Sequence, residues 1–269
     1  MQDNHSFSSS LSPLYQKLML ESQRIAAKFK VPAFYRQFKA QYSLSRKVFF
    51  NHPLVLYVKN LVRPRLMDSF GHGLDHSTKV AIDTATIILL EAEKYANIRG
   101  KLERLMVLGE IAGLLHDIHR GKENHAEKGA SSAKKILKPF PLENREIEWV
   151  SCAISNHEAF TVPSPCPIPW GQLMSDALYD ADKFRWGPDN FTKTVWFMVN
   201  YRSIPLEEVI EKFPWGVNGI LKIKETFRTS IGRQFGPDIV DVGVEIGKEI
   251  YRYLLEFYKD YKETNDSEK

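Results

Sequence analysis

Four residues of this chain have the types and order from which a metal-centred reaction can be built: His76, the adjacent pair His116 and Asp117, and Asp182. In Gly109-Glu-Ile-Ala-Gly-Leu-Leu-His-Asp-Ile-His-Arg120, a helical period of about 100° per residue gathers Ile111, Leu114, Leu115 and Ile118 on one face. His116 and Asp117 fall on the other side, beside the small residues Ala112 and Gly113. Burying an imidazole and a carboxylate bare on a largely apolar helix is costly. A divalent cation removes that cost, because neutral imidazole and carboxylate are its ordinary ligands. Two neighbours in sequence cannot close a coordination shell, so other helices must contribute. His76, in Asp75-His-Ser-Thr-Lys-Val80, and Asp182, in Tyr179-Asp-Ala-Asp-Lys-Phe184, are the candidates.

The elements that must position these residues read as helices throughout. Residues 1–12 form a polar, serine-rich stretch expected to fray. The apolar spacing of Leu14, Leu18, Leu20, Ile25 and Ala26 predicts an amphipathic helix from Pro13 to Lys30. Further helices are predicted near 33–43 and 53–63. Asp68-Ser-Phe-Gly-His-Gly-Leu-Asp75 reads as a turn and helix start. Long helices follow at about 75–97, with Asn97 and Gly100 as stop signals, and at 101–118, 124–137 and 143–158. The proline-rich segment 161–169 is a loop, followed by helices at 171–185, 189–202, 205–213, 216–231 and 237–261. Residues 262–269 read as a solvated tail, and no clear period-2 strand and no internal repeat stand out. The expected fold class is all-α, one helical domain over 13–261.

Composition narrows the function classes. Hydrophobic residues make up 43% of the 269 residues, enough for a proper core and against a disordered chain. A net charge of +4 permits an anionic substrate without requiring nucleic acid. The two cysteines, Cys152 and Cys166, argue against a disulfide framework or zinc ribbon and fit a reducing compartment. No basic-then-apolar leader opens the sequence, and the longest uncharged run, Ala159 to Ser175, holds four prolines and is no membrane helix. A cytoplasmic location is therefore expected.

The blocks HSTKVA, LLHDIHRG and DADKF, with ligand candidates 40 and 65 residues apart, resemble the HD-domain superfamily of metal-dependent phosphohydrolases. The resemblance covers about residues 70–190 and implies an HD-domain helical bundle with additional N- and C-terminal helices. It implies metal ligation by His76, His116, Asp117 and Asp182. His125, in Asn124-His-Ala-Glu-Lys-Gly129, and His157, in Ser155-Asn-His-Glu158, stand where binuclear members carry added histidines. The Gly-Tyr-Pro signature of the cyclic-dinucleotide branch is absent after His157. Gly71-His-Gly-Leu-Asp-His76 and Asp180-Ala-Asp-Lys183 look more like small stand-alone HD hydrolases that act on nucleotides, although Lys-Phe-Arg-Trp-Gly-Pro after Asp182 departs from their usual continuation.

The expected reaction is hydrolysis of a phosphate ester, of a nucleotide or related small metabolite, by metal-activated water. Imidazole ligands favour Mn, Fe, Co, Ni or Zn over Mg, as one ion or two. Asp117 would also orient the attacking water, and Lys183 would offset charge on the phosphoryl group. Arg120, Lys128, Lys183 and Arg185 are candidates to bind the phosphate, and Asp180 to hold a ligand histidine. His72 and His119 read as bystanders. Trp186, Phe191, Trp196 and Phe197 suit core packing better than a base-stacking wall.

Three competing readings are a diiron oxygenase on an HD-like scaffold, a nucleotide sensor without turnover, and a nucleic-acid binder. The last would use Phe34, Tyr35, Phe38 and Tyr42 interleaved with Arg36, Lys39 and Arg46. The apolar stretch from Asp238 to Tyr261 could pack on the core or on a second copy, giving a homodimer.

Overall fold

The computed structural model describes residues 11–66, 71–95, 98 and 100–267. Most of the stretch expected to fray, part of the turn at 68–75, the stop signal Asn97 and the end of the tail lie outside the described residues. Among the described residues there are twelve α-helices and no strand, so the fold is all-α. One contiguous apolar cluster runs from Tyr15 to Leu254.

The N-terminal helices are α1 (Pro13–Ala26), α2 (Ala33–Gln37), α3 (Lys39–Asn51) and α4 (Pro53–Val62). The single helix expected over 33–43 is broken at Phe38, where the backbone leaves helical geometry. The break buries Phe34 completely, with its ring against Phe38, Phe184 and Phe235. The interleaved aromatics of this segment are therefore packing groups and not a stacking surface for bases.

The middle of the chain supplies α5 (Leu74–Glu91), α6 (Leu102–Leu115), α7 (His125–Leu137), α8 (Asn144–Ser155) and α9 (Trp170–Lys183). α5 lies against α6 and α9, and α8 against α7 and α9. The C-terminal part holds α10 (Val195–Tyr201), α11 (Leu206–Leu221) and α12 (Ser230–Ser267). α10 is preceded by a π-helical turn, Asn190–Thr194.

Two boundaries differ from the sequence expectation for physical reasons. α11 passes through Pro214 as one helix, because the buried face of Val209, Ile210, Phe213, Val217 and Ile220 continues across it. α12 extends through residues 262–267, which the sequence suggested as a loose tail. Its stripe Phe235, Ile239, Val240, Val244, Ile250 and Leu254 is buried in the core of its own chain.

Cys152 and Cys166 form a disulfide that bridges the end of α8 to the loop before α9. This corrects the expectation from cysteine count. The loop turns back on α8 because Asn156 accepts a hydrogen bond from Ser164 N (2.9 Å) and donates one to Ser164 O (2.8 Å).

Gly113 sets the distance between the two helices that matter most. A Cβ there would stand 2.4 Å from Ala81 Cα, so only glycine lets α6 approach the backbone of α5 this closely. α6 also buries Glu110, whose carboxylate oxygens have no hydrogen-bond partner among the described residues, and burial pushes its carboxyl up to about 9. The folded state thus keeps a proton that the unfolded chain releases near 4.5.

Two outcomes are expected in urea unfolding. Gly113→Ala lowers stability by about 1–3 kcal/mol through overpacking, whereas Gly216→Ala, with nothing within 4 Å, does not lower it. Wild-type stability falls relative to Glu110→Gln as pH rises from about 4.5 to about 9, because the proton on Glu110 is progressively missed.

Candidate metal centre

The ends of five helices meet at one place. His76 lies in the first turn of α5, and His116 and Asp117 directly follow α6. His125 opens α7, His157 stands just past α8, and Asp182 lies in the last turn of α9. Asp117 is central. Its Oδ2 is 3.4 Å from His116 Nε2 and 3.8 Å from His76 Nε2. Its Oδ1 is 3.4 Å from His157 Nε2 and 3.5 Å from His125 Nε2. Asp182 Oδ1 completes the first group, 3.3 Å from His76 Nε2 and 3.7 Å from His116 Nε2. Within each group two imidazole Nε2 atoms face each other at 3.2 Å.

The far side of three rings fixes what the near side offers. His116 Nδ1 donates to Gly113 O (2.8 Å) and His157 Nδ1 to Ile154 O (2.7 Å). His125 Nδ1 donates to Glu158 Oε1 (2.8 Å). A carbonyl or carboxylate only accepts, so each neutral ring turns an Nε2 lone pair toward Asp117. Lone pairs facing a carboxylate repel unless a cation lies between them.

Electrostatics carry the same demand. Burial opposes a charge on His116, yet Asp117 and Asp182 push it up to about 10, so without a metal the cluster takes up a proton. Against its own burial, Asp117 is held well below the usual carboxylate range by His116. Asp182 is held down similarly, first by Lys183. Burial lowers His76 and His125 to about 4 each, leaving both neutral. Asp117 Oδ1 is buried and accepts no hydrogen bond among the described residues. This orphaned oxygen, the neutral imidazoles and the second carboxylate fit one or two divalent cations.

Not every sequence candidate reaches the cluster. Lys183 does: its Nζ is 2.6 Å from Asp182 Oδ2 and it lines the cleft above the histidines. Arg120 stands at the rim, with Nη1 3.1 Å from His125 Nε2. Lys128 is exposed on α7 and is not among the residues lining this cleft. Arg185 borders the cleft, but its guanidinium is taken by Asp83, Tyr35 and Asp189, which suits an internal tie better than the expected phosphate contact. Asp180 holds no histidine. It accepts hydrogen bonds from Arg228 N, Thr229 N and Thr229 Oγ1.

Two residues escaped the sequence reading. His72 Nδ1 is 2.9 Å from Asp117 Oδ2 and its ring lies 4.5 Å from that of His76. Its four-residue spacing to His76 was the available signal, weakened because α5 begins only at Leu74. Glu158, which orients His125, follows His157 directly and has no spacing signal of its own. His119 instead meets Ser132 Oγ at 2.7 Å.

No family model matches the chain. No curated protein matches it either. Among solved structures it is similar to a predicted HD superfamily hydrolase from an uncultured Thermotogales bacterium, at 21% identity and a TM-score of 0.42. The match covers 81% of this chain and 97% of that one. No helix among the described residues is long and apolar enough to cross a membrane.

The centre predicts a metal-dependent gain in stability. Chelator-stripped protein should gain about 2.7 kcal/mol when Mn²⁺ is added at a hundred times its Kd. In Asp117→Ala the gain should largely vanish, and inductively coupled plasma analysis should find less bound metal per chain.

Proposed function

We propose that this chain is an HD-domain metal-dependent phosphohydrolase acting on a phosphate ester, that of a nucleotide or a related small phosphorylated metabolite. One observation supports this best: the buried Asp117 carboxylate stands between two histidine groups, and both groups open into the same cleft as the Lys183 ammonium. The cleft has a volume of about 410 Å³, enough for a small phosphorylated molecule.

His76, His116, Asp117 and Asp182 would hold one ion, and His125 and His157, sharing Asp117, a second. Imidazole-rich shells of this kind favour Mn, Fe, Co, Ni or Zn. A bound ion supplies water of lowered pKa and positive charge at the phosphoryl oxygens.

The chain's own groups do the rest. Asp117, between the two histidine groups, would also orient the attacking water. Lys183 is fixed by Asp182 and by the face of Tyr179, 5.1 Å away, so its charge is already in place for the phosphoryl oxygens. Arg120, half-exposed at the rim, closes on the same oxygens from the His125 side. Glu158 fixes the His125 ring, as Gly113 O and Ile154 O fix the other two.

The test is phosphate release from a panel of nucleoside mono-, di- and triphosphates and simple phosphate esters with Mn²⁺ present. Wild type should release phosphate, Asp117→Ala should not, and Lys183→Met should lose about 100-fold in kcat, the effect of removing one group that stabilises developing charge. Wild-type rates in Asp117→Ala would sink the reading. Oxygen consumption by the ferrous protein, with no phosphate release, would favour the diiron oxygenase reading instead.

A further inference from the structure

Charge is unevenly spread along this chain. Between Glu21 and Asp68 lie 46 residues with ten lysines and arginines and no aspartate or glutamate. The remaining residues are acidic in balance, with 27 basic and 33 acidic side chains. The fold turns this composition into a surface. Along α3 the exposed residues Lys39, Ser43, Arg46 and Phe50 recur at steps of four, three and four, which places them on one face. The opposite face buries Ser45 and Phe49. α4 packs beside α3, and its Lys59 Nζ lies over the Phe50 ring, 5.0 Å from the centroid. The Arg46 guanidinium lies over the same ring at 5.7 Å. Arg63, four residues past Lys59, is exposed and continues the cationic row.

These charges are left unneutralised. Lys39, Arg46, Lys47, Lys59, Arg63 and Arg65 form no ion pair among the described residues, where the pairs pass from Arg24–Glu21 to His72–Asp117 in chain order. Lysines beside the metal cleft are treated differently: Lys79 is paired with Asp189 and Lys193 with Asp75. Phe50 is 43% exposed at the centre of the cations, and Leu44, Tyr57 and Leu61 are exposed on the same two helices. A ring set among unpaired cations suits the surface of an anionic bilayer, where the charges meet headgroups and the ring enters the boundary beneath them. A nucleic acid would use the cations alone. Lys59 and Arg46 already cover the ring on which a base would stack, and Leu44 and Leu61 match no group of its backbone.

We propose that the α3–α4 face centred on Phe50 docks this protein on a membrane surface rich in anionic lipid. The inference is independent of the phosphohydrolase reading, because none of these residues lines the metal cleft. Docking is peripheral. The cations supply a long-range attraction that salt screens, and Phe50 supplies a short-range apolar contact that salt leaves intact.

The experiment is co-sedimentation of the full chain with vesicles of phosphatidylcholine alone, or of phosphatidylcholine and phosphatidylglycerol in equal parts, with a short DNA duplex as a third probe. Wild type should sediment with the anionic vesicles and stay in solution with the neutral ones. The double variant Arg46→Gln/Lys47→Gln should lower the partition coefficient about 30-fold, from about fivefold for each charge near the surface. Phe50→Ala should lower it about fivefold through lost apolar burial. Arg46 and Lys47 are both exposed, so the double variant should keep the wild-type circular dichroism and urea midpoint. No sedimentation with anionic vesicles, or full binding by a folded double variant, overturns the proposal. Binding of the duplex without binding of vesicles also overturns it and assigns the face to nucleic acid. Wild-type partitioning of Phe50→Ala removes the ring from the docking face and overturns the geometry proposed.

Discussion

A buried carboxylate placed among imidazole lone pairs is the constraint on which this structure turns. Asp117 can be buried only if positive charge is brought to it. The fold meets that demand by directing the ends of α5, α6, α7, α8 and α9 to one point, so that five ring or carboxylate groups surround it. The close approach at Gly113 serves the same end, because it brings the start of α5 and the end of α6 within reach of one ion. The elevated His116 is the signature of the same demand when only a proton is available.

The elements outside the central five helices are tied to the site by buried polar groups. Arg185, three residues past Asp182, is bound by Asp83 of α5 and Tyr35 of α2. Removing one partner of such a buried pair typically costs about 3–5 kcal/mol, so the N-terminal helices are locked to the ligand helix, not merely laid on it. Asp180, two residues before Asp182, caps the start of α12 through Arg228 and Thr229. Arg228 then reaches Asn156 O, beside His157, and stacks on Tyr179 at 3.5 Å. The additions at both ends of the chain thereby fix the orientation of α9 and of the loop after α8.

Why some of this was legible in the sequence and some not follows from the kind of information each feature needs. His76, His116, Asp117 and Asp182 announce themselves by residue type and order, since few other tasks require an imidazole-carboxylate pair on an apolar helix. The all-α class was legible because apolar periodicity extends along nearly every segment. His72 was missed because its role depends on the chain folding back before α5, not on helical spacing. Arg185 was read as a phosphate ligand because charge near Asp182 is visible in sequence, while the buried partners Asp83 and Tyr35, 102 and 150 residues away, are not. The disulfide was excluded on count alone, yet two cysteines suffice once Asn156 folds the loop over. Pro214 and Phe38 were each misjudged because continuity of the buried face, and not local propensity, decided whether the helix continued.

These contrasts separate two parts of the cleft by how they are built. The part around Asp117 consists of helix ends, and backbone carbonyls hold the second ring nitrogens of His116 and His157, so its geometry belongs to the fold. The opposite wall is lined by Asn190 and Thr194 of the π-helical turn, whose side chains are only partly buried. Under the phosphohydrolase reading proposed above, substitutions there would alter which ester fits without moving Asp117, because such segments tolerate change that packed helix ends do not. Lys183 lies where the two parts meet, bound to Asp182 on one side and 6.0 Å from Trp186 on the other. Under the same reading, a phosphate drawn to that ammonium would lie against the metal ligands, so one buried charge would set its place in the cleft.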